Sequence, residues 1–92
     1  MINGIKDREL EKFFQGKPSK IAVGIRNTLR RKLDFLAQAQ SLEDLRSMPG
    51  NHLEKLQGDR QGLSSIRVND QWRLCFLWTP IGVDDLELVD YH

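Results

Sequence analysis

Hydrophobic positions follow helical spacing in the first half of the chain and strand spacing in the second half. In residues 7–15, Leu10 is followed by Phe13 and Phe14, at intervals of three and four residues. This spacing predicts a short amphipathic helix with one apolar face. Residues 16–19 contain a glycine and a proline, which end the helix.

A second, longer helix is predicted over residues 20–40, with Ser19 as its N-cap. Its apolar side chains recur every three or four residues and form one stripe: Ile21, Ile25, Leu29, Leu33 and Leu36. Its basic side chains lie largely off that stripe: Lys20, Arg26, Arg30, Arg31 and Lys32. They form either a solvated helix face or a contact surface for a partner. Ser41 is predicted to cap a further short helical turn.

Three strands are predicted in the second half of the chain, where apolar and polar side chains alternate. They cover residues 63–69, 71–78 and 83–91, and a weaker strand pattern covers residues 1–4. Helices followed by antiparallel strands indicate an α+β fold, in which two N-terminal helices pack on a small antiparallel sheet.

Burial determines the register of the first predicted hairpin. A three-residue loop places Ile66 opposite Leu74 and Arg67 opposite Arg73, so that apolar side chains share one face and arginines the other. A two-residue loop would mix apolar and charged side chains on each face. Because two opposed arginines repel, either a phosphate between them or acidic side chains of the last strand must offset their charge. By the same alternation, Tyr91 shares the arginine face.

Composition narrows the classes of function. A hydrophobic share of 39% and a charged share of 29% fit a single folded domain over residues 1–92. No apolar run approaches the ~20 residues that span a bilayer, and no secretory leader is recognisable, so a cytoplasmic protein is expected. Residues 51–92 carry four Lys/Arg and seven Asp/Glu. A few positioned arginines, or a large partner, would therefore have to hold a polyanionic substrate.

The predicted arginine face carries side chains that suit RNA cleavage without a metal. RNA supplies its own nucleophile, the 2′-hydroxyl, so the protein must supply a base, an acid and cations for the phosphorane. Arg67 and Arg73 would provide the cations, His92 an acid or base, and Tyr91 orientation of the nucleotide. A frayed terminal histidine and a structural tyrosine are the alternative reading. No zinc-site spacing occurs around Cys75, so neither metal nor cofactor is expected.

Three stretches of the chain resemble a known family. The segment from Gly58 to Phe76, GDRQGLSSIRVNDQWRLCF, is similar to the signature of HigB-type toxins of the RelE/ParE superfamily. The ending from Leu86, LELVDYH, is typical of the same toxins, and the segment from Leu45, LRSMPGN, also fits. The resemblance covers roughly the whole chain and is strongest in its second half.

This resemblance implies a RelE-like microbial ribonuclease fold and a type II toxin–antitoxin toxin. It implies cleavage of translated mRNA in the ribosomal A site, without metal or cofactor, which inhibits translation and growth. It also implies a HigA-like antitoxin with a helix-turn-helix domain, which neutralises the toxin. Operator DNA would be contacted only through that antitoxin, and no membrane partner is implied.

The resemblance also implies roles for individual residues at the end of the chain and in the hairpin. Arg73 would clamp the scissile phosphate, and His92 would be the leading acid–base group. Tyr91 would orient the nucleotide, while Asp90 would hold neighbouring side chains. Each of these assignments is an expectation carried over from the family pattern.

Backbone contacts to the RNA are implied for Arg60 and Arg67, and the chain departs from the family pattern before the hairpin. Many relatives read Leu-His-x-Leu-Lys-Gly where this chain reads LEKLQG, so that Glu54 replaces the histidine and Gln57 the lysine. Glu54 can still act as general base, and Gln57 can contact the substrate without adding charge. We therefore expect a slower or milder toxin than relatives that keep both residues. His52, two positions away, is given no role.

Two other classes of function remain open. A ParE-like gyrase poison would bind protein, cut no RNA and cause DNA-damage signalling, although the Asp90-Tyr91-His92 ending argues against it. A non-catalytic operon co-repressor would only dock the antitoxin, and it would cause no growth defect when expressed alone.

Overall fold

Helices precede an antiparallel sheet in the computed structural model, which describes residues 1–58 and 62–90. The helices of this part of the chain are α1 (Arg8–Phe14), α2 (Arg26–Gln38) and α3 (Leu42–Arg46). The strands are β1 (Glu54–Lys55), β2 (Leu63–Arg67), β3 (Trp72–Thr79) and β4 (Gly82–Asp90), and they lie side by side in that order. The α+β fold, with two N-terminal helices packed on a small antiparallel sheet, is confirmed.

Helix α1 is capped by a side chain that also contacts the sheet. One oxygen of the Asp7 carboxylate accepts the backbone N–H groups of Glu9 and Leu10, which begins the helix. The other oxygen accepts the backbone N–H of Leu88 in β4 at 3.2 Å. Asp7 therefore links the start of α1 to the last strand. Leu10 and Phe13 lie in the core as predicted, whereas Phe14, which was expected on the same apolar face, is 44% exposed.

Helix α2 begins at Arg26, so the prediction that it starts at residue 20 with Ser19 as N-cap is wrong. A short 3₁₀ turn, Val23–Ile25, precedes it, and no side chain caps its first residue. The helix spans 13 residues. Among the described helices, none is long and apolar enough to cross a membrane.

Side-chain contacts explain the late start of α2. The Arg26 guanidinium donates to the backbone carbonyls of Ser19, at 3.2 Å, and Ile21, at 2.8 Å. The Glu9 carboxylate accepts the backbone N–H of Lys20 at 2.8 Å, and this bond is the main reason that the pKa of Glu9 is lowered. These side chains occupy backbone N–H and carbonyl groups that would otherwise form helical hydrogen bonds, so the segment stays extended. Ile21 is nevertheless buried.

The core lies between the helices and one face of the sheet. Side chains without solvent exposure come from α1, α2 and three strands: Leu10, Leu29, Leu36, Ile66, Leu74, Phe76 and Leu86. The apolar stripe predicted on the second helix supplies Leu29, Leu33 and Leu36 to this cluster. The helical and strand periodicities of the sequence therefore identify the core correctly.

The hairpin between β2 and β3 has the predicted register. Ile66 pairs with Leu74, and Arg67 pairs with Arg73. The Asn69 side chain closes the loop. Its Oδ1 accepts the backbone N–H groups of Gln71 and Trp72, as in other Asx turns. The two arginines consequently lie side by side on the face that points away from the apolar core.

A bulge in β4 allows Val83 and Leu86, which are three positions apart, both to be buried. Between the pairs Cys75–Glu87 and Leu77–Asp84, β4 advances three residues while β3 advances two. The additional residue brings Asp85 to a φ of 50°, in the left-handed region. Because the bulge changes the alternation, Leu86 faces the core together with Val83.

The N-terminal segment covers the outer edge of β4. Ile2 and Ile5 form isolated parallel bridges with Val83 and Leu86, so the weak strand pattern at residues 1–4 corresponds to pairing without a regular strand. At the β3–β4 turn, Gly82 has a φ of 128°, and a Cβ there would lie 2.2 Å from the Met1 carbonyl oxygen. Only glycine fits this close approach.

Candidate functional site

An open cleft lies beside the β2–β3 hairpin and brings together three of the predicted site residues. Its volume is about 330 Å³. It is lined by His52, Glu54, Arg67, Asn69, Asp70 and Arg73. Glu54, Arg67 and Arg73 therefore share one surface, as expected if they act on one substrate.

Arg73 is held firmly at the base of this cleft. Its side chain is only 9% exposed. Nε donates to Ser65 Oγ at 2.8 Å, and Nη2 donates to the carbonyls of Ser65 and His52. Nη1 lies 3.9 Å from Oε1 of Glu54. The guanidinium is thus pre-organised, and a pre-organised cation can stabilise developing charge without reorganisation. Its Nη1 edge lies beside the Glu54 carboxylate.

The short strand β1 places Glu54 next to Arg73. Glu54 pairs with Ser65 of β2, the residue whose hydroxyl binds Arg73. Its side chain is 54% exposed, so that a ligand in the cleft can reach the carboxylate. This strand was not predicted, because two residues are too few to show alternation.

Arg67 lies opposite Arg73 and forms an ion pair with Asp70 of the hairpin loop. The Asp70 side chain is 95% exposed, and ion pairs in such surroundings contribute little to stability. A phosphate could replace the Asp70 carboxylate at low energetic cost. Asp70 of the hairpin loop and Glu54 of β1 are thus acidic partners of the two opposed arginines.

Beneath the cleft lies a lysine that the sequence places on a solvated helix face or a partner surface. Lys32 is instead only 5% exposed, and its Nζ donates to Oδ1 of Asn51 at 2.6 Å. Burial lowers the pKa of Lys32, and the charges of Arg31 and Arg67 lower it further. The assignment of Lys32 to an exposed basic face is wrong, because α2 turns this residue towards the segment that precedes β1.

Sequence reasoning missed the groups that hold Arg73. Ser65 is two positions before Arg67, so strand alternation puts it on the arginine face, and this signal is sufficient to make it a candidate. No comparable signal existed for the His52 carbonyl, since its direction depends on a backbone φ of 45°. Asn51 is likewise fully buried, although asparagine after a glycine usually indicates an exposed turn.

Gln57 and Asp90 are not among the residues that line the cleft beside the β2–β3 hairpin. Gln57 lines a separate cleft together with Leu42 and Trp78, so the two departures from the family pattern affect different parts of the surface. Asp90 pairs with Trp72 at the end of β4, and its carboxylate accepts a hydrogen bond from the Gln71 side chain at 3.1 Å. The roles suggested for Gln57 and Asp90 stay predictions.

Three predicted site residues, Arg60, Tyr91 and His92, lie outside the described residues, and their roles also stay predictions. Within residues 1–58 and 62–90, no group of three or more histidine, cysteine, aspartate or glutamate side chains is arranged to hold a metal ion. The charged groups of the described site are the guanidinium groups of Arg67 and Arg73 and the carboxylates of Glu54 and Asp70.

Solved structures of other proteins define the fold class of this chain. Over 100% of this chain and 95% of the other, the structure is similar to a chain of the YoeB–YefM complex from Staphylococcus aureus, with a TM-score of 0.61 and 18% identity. A YafQ mutant from E. coli has a TM-score of 0.64 and 16% identity, over 98% of this chain and 91% of the other. The chain therefore shares its fold with these solved structures.

Sequence comparisons identify the family within this class. The family described as the RelE-like toxin of type II toxin–antitoxin system HigB matches residues 3–92. Toxin HigB-1 of Vibrio cholerae is 44% identical over 88 residues, 94% of this chain and 88% of the relative. An uncharacterized protein of Haemophilus influenzae is 39% identical over 85 residues, 90% of this chain and 84% of the relative. The chain belongs to the HigB-like toxin family, which implies an antitoxin partner.

Proposed function

We propose that this toxin is a ribosome-dependent, metal-independent mRNA endoribonuclease of the cytoplasm. The observation that carries the proposal is the fixed Arg73 guanidinium beside the accessible Glu54 carboxylate, with Arg67 opposite, in one open cleft. A cation clamp next to a carboxylate supports this proposal, because it supplies two of the groups that RNA cleavage by the 2′-hydroxyl needs: cations for the phosphorane and a base.

The reaction follows from these groups. Glu54 accepts the proton of the 2′-hydroxyl as its oxygen attacks the adjacent phosphorus. Arg73 and Arg67 bind the phosphate oxygens and offset the additional charge of the phosphorane. The bond from phosphorus to the 5′-oxygen breaks, and a protonated group returns a proton to that oxygen. His92 is the proposed acid, and the products are a 2′,3′-cyclic phosphate and a 5′-hydroxyl.

A HigA-like antitoxin with a helix-turn-helix domain is the proposed partner. It would neutralise the toxin, and operator DNA would be contacted through the antitoxin alone. Membership of a type II toxin–antitoxin family supports an antitoxin in general, and the resemblance to HigB-type toxins supports this kind in particular. The ribosomal A site would present the mRNA to the cleft.

Glu54→Gln is expected to reduce mRNA cleavage by about 100-fold or more, because the amide keeps the size of the side chain and cannot act as a base. The measurement is a map of mRNA 5′ ends in cells after brief induction of the toxin. Glu43→Gln is the matched control: Glu43 is exposed, pairs with Arg46 at the surface of α3 and does not line the cleft, so its cleavage pattern should equal that of the wild type.

The same map separates the competing functions. New 5′ ends inside open reading frames that are absent from His92→Ala would assign the acid role to His92. Growth arrest without new ends would instead indicate a gyrase poison. Normal growth after induction of the wild type would indicate a co-repressor without catalytic activity.

Purified toxin is expected to leave naked RNA largely intact and to cut the same RNA when ribosomes are present. The physical reason is the net charge of +1, which provides little non-specific attraction for a polyanion. The measurement compares cleavage of one labelled mRNA with and without ribosomes at the same salt concentration. Efficient cleavage without ribosomes would contradict ribosome dependence and leave the nuclease assignment intact.

A further inference from the structure

Asn51 connects three elements beneath the cleft although it is not one of its lining residues. Its Nδ2 donates to the Leu45 carbonyl of α3 at 3.0 Å, and its Oδ1 accepts from Lys32 of α2 at 2.6 Å. Its backbone carbonyl accepts the N–H of Arg67 at the end of β2 at 2.6 Å. The asparagine has no solvent exposure, so these bonds are shielded from competing water.

The backbone on both sides of Asn51 has an unusual conformation. Gly50 has a φ of 86°, and His52 has a φ of 45°, in the region that residues other than glycine rarely adopt. Such a conformation persists where the surrounding contacts determine it. At His52 it directs the carbonyl to the Arg73 guanidinium, and the chain then enters β1 with Glu54.

Lys32 supports this turn from below. Among the described residues, Oδ1 of Asn51 is the hydrogen-bond acceptor of its ammonium group, and the ring of Phe35 lies 5.9 Å away. A Cβ at Gly50 would lie 3.8 Å from Nζ, so the turn packs directly on the lysine. Burying a cation opposes folding, and within residues 1–58 and 62–90 no carboxylate forms an ion pair with Lys32, so this lysine contributes to the arrangement of the turn more than to stability.

We propose that Lys32 and Asn51 are positioning residues of the site: together they hold residues 50–54 in the conformation that orients Arg73 and presents Glu54. The effect on cleavage rests on the proposed function, whereas the effect on the Arg73 side chain does not. Neither residue touches the substrate in this proposal. The two consequences can therefore be measured separately.

The first test uses ¹⁵N NMR of the purified toxin and follows hydrogen exchange of the Arg73 Nε–H, which is bonded to Ser65 Oγ. Lys32→Met removes the ammonium group and keeps the length of the side chain. We expect the exchange to accelerate by at least about tenfold, because the turn that holds Arg73 opens locally. Asn51→Asp, which keeps the acceptor for Lys32 and loses the donor to Leu45, should act in the same direction.

Leu33→Ala is the matched control on the same helix. Leu33 is buried in the core, and its truncation leaves a cavity that lowers the stability of the whole fold. Its Arg73 exchange should nevertheless equal that of the wild type under native conditions. Unchanged exchange in Lys32→Met, or equal acceleration in Leu33→Ala, would overturn the proposal.

The second test measures cleavage of mRNA on ribosomes at saturating and subsaturating substrate. Lys32→Met is expected to lower kcat by on the order of 100-fold, since a small displacement of reacting groups has effects of this size. KM should change little, because Arg67 still binds the substrate. If Lys32→Met accelerates the exchange but the wild-type toxin cuts no RNA, the positioning role is upheld and the nuclease function is refuted. If the wild type is active and Lys32→Met has the same kcat, the proposed effect on cleavage is overturned.

Discussion

Replacement of Arg73 by lysine is expected to lower mRNA cleavage by about 100- to 1000-fold, the range found when one donor to a developing anion is removed. Lysine keeps the positive charge but lacks the planar fork of donors. Its three N–H donors come from one nitrogen, so they do not reproduce the separate positions from which Nε binds Ser65 and Nη2 binds the His52 carbonyl. The measurement is single-turnover cleavage of mRNA on ribosomes, together with growth after induction.

Arg46→Lys is the control for the Arg73 prediction. Arg46 is 57% exposed, and its Nε lies 3.6 Å from the Glu43 carboxylate at the surface of α3. The same change of side chain should leave cleavage at the wild-type rate there. A wild-type rate in Arg73→Lys, with the thermal unfolding temperature unchanged, would show that charge alone is sufficient and that the fixed fork has no catalytic role.

Replacement of Phe76 by alanine is expected to lower the free energy of unfolding by about 3–5 kcal/mol, as large-to-small changes in cores do. Phe76 lies in β3 without solvent exposure and is the largest fully buried side chain of the described residues. Urea unfolding measures the effect. Both proteins, with Phe76 and with Phe76→Ala, would carry the Arg73→Lys substitution, so that they can be produced at reduced toxicity.

Val23→Ala is the control for the Phe76 prediction. Val23 is 80% exposed in the turn before α2, and exposed substitutions usually change stability by less than about 0.5 kcal/mol. A loss of less than about 1 kcal/mol in Phe76→Ala would mean that the core relaxes around the missing ring, contrary to the packing described above.

The arginine pair shows how a site can lower the stability of a sheet. Like charges directly opposite on neighbouring strands repel, and Arg67 and Arg73 occupy such positions. Asp70 and Glu54 offset part of this repulsion in the free protein. A phosphate bound between the guanidinium groups would offset it further, so binding of the proposed RNA substrate would relieve this local cost.

Much of the fold could be read directly from local periodicity. Helical spacing identified Leu10 and Phe13 of α1, and the apolar stripe of α2 as far as Leu36. Strand alternation, combined with the requirement to bury one face, gave the hairpin register that places Arg67 opposite Arg73. These features depend on residues close in sequence, for which side-chain direction follows from the period of the element.

Other features depended on contacts between distant parts of the chain. Bonds from Glu9 and Arg26 delay the start of α2 to residue 26. Strand β1 exists because it pairs with β2, and this pairing is what brings Glu54 to Arg73. Neither effect leaves a repeating pattern in the sequence, because each requires a tertiary neighbour to overrule local preference.

The arginine face was therefore determined by the amino-acid sequence, while the arrangement that makes it a site was decided by the tertiary structure. Alternation suffices to put Arg67 and Arg73 on one face of a hairpin. The burial of Lys32, the bonds of Asn51 and the direction of the His52 carbonyl arise only when α2, α3 and β2 meet around one turn. Buried polar groups must find partners there, and only the packed chain determines which partners are within reach.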